Sequence, residues 1–251
     1  MKSINRQVHF YGDSHTAGYE TNHDQILGRN TFREKKDLIH QMGLHQAITM
    51  WNRKMSRATK IPVFDFTRAV TDHAYPKLFD PTARIKAWPA MSADYLQLQI
   101  REDFNNNVLN KYEHVFIGVP RPTRVFELDY LGHYDFKNED LDGNAQAHTD
   151  AHYACTWALH MAAIKDFLDK NHISYFFIKH FDIMDDTIED IHHFDVPSEA
   201  QYFQLIFDTY KDIHLQSIPK RLDQFGDALG FHHRDAEGHK QFAAYLKNYL
   251  T

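Results

Sequence analysis

The fold is most constrained by an alternation of short apolar runs with longer stretches of helical periodicity. The runs have the length of strands, and several are rich in β-branched and aromatic residues. Strands that alternate with helices predict a mainly parallel sheet covered on both faces, which is a three-layer α/β/α fold. The predicted strands are Val8 to Tyr11, which ends at Gly12, Ile61 to Phe66, Val115 to Val119, which Pro120 stops, and Ile173 to Ile178.

Three stretches carry apolar residues at spacings of three and four, as expected of a helix with one buried face. They run from Leu96 to Val108, from Tyr153 to Leu168 and from Phe242 to Leu250. Two polar, acidic segments near 132–150 and 185–197 lack any periodicity, and we predict loop insertions there. Each is either a solvated loop or an active-site lid, and the sequence leaves both readings open.

Composition narrows the class of protein. The chain has 251 residues, of which 43% are hydrophobic and 25% charged, so we predict a single globular domain over 1–251. A net charge of −6 disfavours non-specific binding to nucleic acid. No apolar run is long enough to span a bilayer, no apolar leader follows Met1, and Cys155 is the single cysteine. These features predict a cytoplasmic protein without a disulfide or a membrane partner.

The stretch from Phe10 to Gly18 carries the most chemical information. A predicted strand leads into Gly12, which permits a tight turn, and Ser14 follows at the strand's carboxyl end. In open α/β sheets this is the edge that binds ligands, and the N–H groups that start the next helix point toward it. The glycines and the lysine of phosphate-binding and dinucleotide-binding loops are missing here. Ser14 is therefore a candidate nucleophile, and the simpler alternative is a serine that caps the helix.

These residues resemble the first block of the SGNH/GDSL hydrolase family, Gly-Asp-Ser-x-Thr-x-Gly. The matching positions are Gly12, Asp13, Ser14, Thr16 and Gly18. The resemblance implies a flavodoxin-like SGNH hydrolase architecture over the whole chain, with Ser14 as the nucleophile and no cofactor.

The stretch from Phe231 to His239 is similar to the family's last block, which supplies the base. Alignment on Gly238 and His239 makes His233 the catalytic histidine, with His232 as its nearest rival. In this alignment His239 caps or orients the last helix. The family's acid lies three residues before the histidine, where this chain has Gly230. Either Asp227 or Asp223 then supplies the carboxylate, or a Ser–His dyad acts without one.

The two middle blocks of the family, which help to form the oxyanion hole, are poorly matched. Besides the N–H of Ser14, backbone donation from Ala90 or Met91 is the second-block candidate. In the third block Gly118 is in place, but Pro120 stands where the family has a donor asparagine. Substitute donors are Arg121, Thr123 and Arg124, although Arg124 could equally pair with Glu127, and Asp13 completes the predicted substrate-facing set. A third block that contains an arginine resembles that of divergent, phage-encoded members of the family. The resemblance implies a protein that acts in the host cytoplasm or in the virion.

The resemblance implies a serine esterase that cleaves small acyl esters, such as O-acetyl groups on small molecules or glycans. One rival interpretation is a non-catalytic binding or structural module on the same fold. A second is a metal-dependent hydrolase, since His148 and His152 have the spacing of one helix face, with Asp150 and His160 nearby and His192 and His193 in an acidic segment. Cys155 lies in an apolar helical stretch typical of an inert buried thiol.

Overall fold

The computed structural model describes residues 7–63, 70–88, 91–122, 124–128, 134–138, 150–180, 200–231 and 233–250. Short 3₁₀ turns cover Leu109–Lys111 and Leu222–Gln224. The strands are β1 (Val8–Gly12), β2 (Arg84–Ala87), β3 (His114–Gly118), β4 (Arg124–Leu128), β5 (Tyr134–Asn138) and β6 (Tyr175–Ile178). The helices are α1 (His23–Leu27), α2 (Phe32–Met42), α3 (Leu44–Thr59), α4 (Tyr75–Phe79), α5 (Ala93–Asn105), α6 (Asp150–Lys170), α7 (Ala200–Gln216) and α8 (Ala236–Tyr249).

Four of these strands form a parallel sheet in the order β2-β1-β3-β6. The register places Phe10 beside Ile85 on one side and beside Phe116 on the other, and Phe116 beside Phe176. The first strand therefore lies inside the sheet, and the turn that follows it opens at the shared carboxyl edge. The strands β4 and β5 form a separate antiparallel pair.

Side chains alternate across the sheet and feed two apolar cores. On one face Tyr11 and Ile117 pack with Leu96 and Trp157, in a core shared with α5, α6 and α7. On the other face Phe10 and Phe116 pack with Tyr75, Phe242 and Leu246, from α4 and α8. The described chain is thus a three-layer α/β/α fold, as the sequence predicts.

A third apolar cluster lies outside these two cores, among α2, α3 and the turns beside them. Tyr19, Ala47, Trp51, Met55 and Phe231 form its buried part. The cluster matters for function because it packs around the acidic end of the site described below.

The second predicted strand is wrong. Ile61 and Pro62 lie in no strand, and residues 64–66 are outside the described ranges. The strand beside β1 is instead β2, with polar and apolar residues in alternation. Its Arg84 and Lys86 extend to the Asp103 carboxylate of α5, at 3.4 and 2.8 Å, while Ile85 packs in the opposite core. An edge strand needs only one apolar face, so the search for an apolar run missed it.

The first predicted loop insertion is wrong in part, because β5 occupies 134–138 and pairs with β4. Asp150 already belongs to α6. Residues 139–149 and the second insertion at 185–197, with the two lid hypotheses, lie outside the described ranges. Within those ranges, no helix combines the length and apolar character needed to cross a bilayer.

Candidate active site

Ser14 lies in a single helical turn at the carboxyl end of β1. The Ala17 N–H donates to the Asp13 carbonyl at 3.0 Å, and the Tyr19 N–H reaches back to the Ser14 carbonyl at 2.9 Å. Gly18 closes the turn with φ +69, and its N–H donates to the His15 carbonyl. This pair of reversed bonds with a left-handed glycine is a Schellman motif. It explains the last glycine of the sequence motif and fixes where Ser14 points.

The threonine of the motif locks this turn onto the sheet. A Cβ at Gly12 would lie 1.9 Å from Oγ1 of Thr16, and one at Gly118 would lie 2.9 Å from the same atom. Thr16 therefore fills the space that two glycines leave at the ends of β1 and β3. Its hydroxyl contacts Tyr75 Oη and His180 Nε2, both at 3.2 Å. The position of Ser14 is thus tied to the separation of the two central strands.

This packing predicts that Gly118→Ala lowers the free energy of unfolding by about 3 kcal/mol, because an interior without spare room must shift to take a methyl group. The added Cβ would lie 2.8 Å from Cε1 of His180 as well as 2.9 Å from Thr16. Urea unfolding measures the change. The matched control is Gly28→Ala, where φ is +65 but no atom lies within 4 Å, so we expect a loss of about 1 kcal/mol. Equal losses in the two variants would contradict the close packing at Gly118.

Ser14, His233 and Glu20 form a hydrogen-bonded line. Oγ of Ser14 is 2.8 Å from Nε2 of His233, and Nδ1 of His233 is 2.8 Å from Oε2 of Glu20. Ser14 and His233 are each 8% exposed and Glu20 is 2% exposed. An ionised carboxylate only accepts, so Nδ1 of His233 carries the proton and Nε2 accepts the Ser14 hydroxyl. The hydroxyl, the imidazole and the carboxylate therefore stand in the order in which acyl transfer uses a nucleophile, a base and an orienting acid.

The Glu20 carboxyl is held as an anion despite its burial. Burial alone raises its pKa, but the hydrogen bond from His233 and the charge of Lys35 outweigh that effect and bring the pKa below its ordinary value. The neighbouring His23 is neutral, since burial and then Lys35 lower its pKa to about 3. Its Nδ1 accepts the indole N–H of Trp51 at 3.0 Å.

Glu20 corrects the predicted acid. Asp227 is exposed, and its backbone pairs with Asp235, with the Asp235 N–H donating to the Asp227 carbonyl at 2.9 Å. Asp223 forms an ion pair with Arg221 at 3.0 Å. Nδ1 of His233 faces Glu20 instead. The resemblance implies an acid just before His233. Glu20 instead follows Ser14 along the chain, in a turn where its own φ is +75.

The other two candidate histidines have different outcomes. His232 lies outside the described residues. His239 does not cap the last helix, because the Asp235 side chain does so by accepting the Gly238 N–H at 2.8 Å. His239 is buried, its pKa is lowered to about 3 by burial first, and its Nδ1 accepts the Tyr75 N–H at 3.1 Å. It therefore fastens α4 to α8.

Among the predicted oxyanion donors, Met91 is excluded because its N–H donates to the Trp88 carbonyl at 3.1 Å. Ala90 is outside the described ranges. The Ser14 N–H makes no hydrogen bond within the described part of the chain and stands at the start of the helical turn. It is the backbone donor best placed to meet an oxyanion.

The remaining predicted residues take structural or undescribed positions. Oδ1 of Asp13 accepts the His15 N–H at 2.9 Å and lies 3.4 Å from Nδ1 of His180. Gly118 is a packing residue at the end of β3. Arg121 is half-buried just beyond that strand. Arg124 begins β4 opposite Asn138. Its side chain, and therefore the predicted pair with Glu127, lies outside the described residues, as does Thr123.

Sequence reasoning also missed two imidazoles at the site. The His15 ring lies 4.5 Å from the His233 ring and 5.3 Å from the His180 ring, centroid to centroid. His180 follows β6, so its place after a predicted strand was the available signal.

The metal candidates are largely outside the description: His148, His192 and His193 are undescribed, and so are the side chains of His152 and Asp150. His160 contacts Gln97 at 2.7 Å through Nδ1. In the part of the chain that can be described, no three His, Cys, Asp or Glu side chains converge as metal ligands. Cys155 is half-buried in α6, and burial raises the pKa of its thiol.

Two solved structures are similar to the chain in fold. A GDSL-like lipase from Bacteroides thetaiotaomicron shares 13% identity at a TM-score of 0.43, over 98% of this chain and 87% of its own. A lipase from a goat rumen metagenome shares 12% identity at a TM-score of 0.45, over 97% of this chain and 96% of its own. No protein-family model and no curated protein matches the sequence.

Proposed function

We propose that the protein is a serine hydrolase that cleaves small acyl esters, such as O-acetyl groups, with Ser14 as nucleophile, His233 as general base and Glu20 as the orienting acid. The observation that carries the proposal is the line of two 2.8 Å contacts from Glu20 through His233 to Ser14. A serine hydroxyl is a weak nucleophile at neutral pH, and a base oriented by a third group is what activates it.

The geometry supports a two-step reaction. In the first step His233 takes the hydroxyl proton, Oγ of Ser14 bonds to the acyl carbon, and the alcohol leaves with that proton. In the second step His233 deprotonates water, which attacks the acyl-enzyme and releases the acid and free Ser14. The Ser14 N–H stabilises the oxyanion in both steps. Glu20 stays ionised and stabilises the imidazolium.

Reaction with a fluorophosphonate probe tests the proposal directly. Such a probe labels an activated serine covalently, so we expect labelling and, in parallel, turnover of p-nitrophenyl acetate. A protein that neither labels nor turns over would be a non-catalytic module on this fold, which is the rival function. The engagement of the Met91 N–H is the observation that favours that rival, because it removes one predicted oxyanion donor.

The enclosure of the nucleophile supports a short acyl group. Ser14 is 8% exposed, and the rings of His15 and Tyr19 lie 4.5 and 4.9 Å from the His233 ring. We expect kcat/KM to fall about 100-fold from p-nitrophenyl acetate to p-nitrophenyl octanoate, because a longer chain must displace packed side chains. Steady-state kinetics with the acetate, butyrate and octanoate esters measures the trend. A rise with chain length would contradict the short-acyl assignment.

A further inference from the structure

The two oxygens of Glu20 face two different groups. Oε2 lies 2.8 Å from Nδ1 of His233, and Oε1 lies 2.5 Å from Nζ of Lys35. The Lys35 side chain is 1% exposed, so the ion pair is shielded from water. Neither Nζ of Lys35 nor Oε1 of Glu20 has a well-aligned hydrogen bond among the described residues. The contact is therefore one between two charges, and its effect on Glu20 is chiefly electrostatic.

The lysine is enclosed by apolar and aromatic groups. Its Nζ lies 5.3 Å from the centre of the Trp51 ring and 5.6 Å from that of Phe231. The titratable groups that interact with it are Glu20 from the turn and His23 from α1, and Lys54 from α3 lies over the same Trp51 ring. His23 is neutral, so Glu20 is the one anion that these facing groups offer to the ammonium.

The backbone of the last loop makes room for this lysine. A Cβ at Gly230 would lie 2.3 Å from Cβ and 2.6 Å from Cδ of Lys35. Position 230 is three residues before His233, and a side chain there could not coexist with the lysine stem. A carboxylate side chain at position 230 and the buried Lys35 side chain therefore exclude each other.

Stability alone does not account for a buried lysine here. Replacing a buried ion pair by apolar residues of similar volume is often neutral or stabilising, because both charges must lose their water. What an apolar residue could not do is hold the neighbouring carboxylate as an anion. Without a cation beside it, a buried glutamate takes up a proton more readily and ceases to be an effective acceptor for Nδ1 of His233.

We propose that Lys35 is a positioning residue of the triad, which keeps the Glu20 carboxylate ionised and aligned on His233. This inference rests on the proposed serine hydrolase function. Lys35 touches neither substrate nor the reacting atoms and acts through Glu20. It makes the described site a line of four groups, Lys35, Glu20, His233 and Ser14.

The test is Lys35→Met, which keeps most of the stem and removes the charge. We expect kcat for p-nitrophenyl acetate to fall about 30-fold with KM nearly unchanged. Loss of a nearby positive charge favours protonation of the Glu20–His233 pair, so the acid limb of the kcat/KM profile should move to higher pH by about one unit. The matched control is Lys54→Met, whose Nζ lies 5.0 Å from the same Trp51 ring but pairs with Glu34. It should leave both quantities unchanged.

A double-mutant cycle separates positioning from general destabilisation. In the Glu20→Gln background, Lys35→Met should change kcat by less than about 3-fold, because the group through which it acts is gone. The double variant also has no unpaired buried charge, so it supplies a folded protein if Lys35→Met alone is unstable. Equal losses in both backgrounds, or an unshifted pH profile with only a lower melting temperature, would overturn the proposal.

A second readout does not depend on turnover. The ¹H–¹⁵N signals of the His233 ring, identified by their absence in His233→Ala, report the hydrogen bond from Nδ1 to Glu20. In Lys35→Met the Nδ1–H signal should move upfield relative to the wild type, because a Glu20 carboxyl that has taken up a proton accepts that hydrogen bond less well, and an unchanged signal would refute the role of Lys35. If the wild type is inert toward probe and ester but Lys35→Met still shows the changed Nδ1–H signal, the hydrolase function is refuted and the electrostatic role of Lys35 stands.

Discussion

Ser14→Ala is expected to abolish fluorophosphonate labelling and to lower kcat for p-nitrophenyl acetate by about 10⁴-fold or more. In the proposed mechanism this hydroxyl forms the covalent bond to the acyl group, and alanine supplies no nucleophile in its place. His233→Ala should cause a loss of the same order, because nucleophile and base act as one unit. The double variant should be no worse than either single one. Progress curves and labelling intensity on matched protein concentrations measure all three.

Ser217→Ala is the matched control for the nucleophile. Ser217 is 7% exposed, close to the 8% of Ser14, and its hydroxyl donates to the Ile213 carbonyl at 2.6 Å, away from the site. It should label and turn over ester at the wild-type rate. If Ser14→Ala still labels, or if Ser217→Ala loses the same activity, Ser14 is not the nucleophile.

Glu20→Gln is expected to lower kcat by about 10²- to 10⁴-fold, since the amide cannot stabilise the imidazolium as a carboxylate does. The pKa of Glu20 lies below its ordinary value, so the carboxyl is ionised throughout the neutral range. Proton uptake at Glu20 therefore does not account for a change in wild-type activity within that range. The variant should have lower activity throughout that range, which a profile of kcat/KM from pH 5 to 9 measures.

Two substitutions accompany this experiment. Glu34→Gln is the matched control, because Glu34 is likewise ion-paired, with Arg29 and Lys54, and lies outside the site. Asp227→Asn tests the acid that the sequence predicted. Both should keep wild-type kcat within about 2-fold, as expected of exposed or remote positions. If Asp227→Asn is the more damaging change, the assignment of Glu20 is wrong.

The central strands and the long helices could be predicted because burial on both faces leaves continuous apolar runs and helical stripes. β1, β3 and β6 all have this pattern. β2 does not, because its Arg84 and Lys86 leave the core for the Asp103 carboxylate. The strand β2 forms because it pairs with β1, which is distant in sequence, and a local sequence pattern does not reveal such a pairing. The hairpin of β4 and β5 was missed for a similar reason, since its alternation is short.

The predicted pair Ser14 and His233 does meet in the structure, because sequence motifs mark the turn after β1 and the loop before α8. The acid could not be found in that way. Glu20 reaches His233 only because its backbone has φ +75 and because Lys35 balances its charge in a buried place. Both conditions belong to the folded chain. The sequence shows only that Gly230 stands where the family has its acid. The structure shows that the Lys35 side chain fills the space beside Gly230.

Ser14 and Glu20 belong to one short segment, which packs against the sheet through Thr16. His233 lies on a separate loop that precedes α8. Among the described residues, the contact between Ser14 and His233 therefore depends on the packing of this short segment against the C-terminal segment. When the protein is heated, detachment of the C-terminal segment would remove His233 from Ser14 and abolish the proposed hydrolase activity while the sheet remains folded. Inactivation should then precede melting of the core, and the segment from Gly226 to Tyr249 would be the place to add a crosslink for a longer working life.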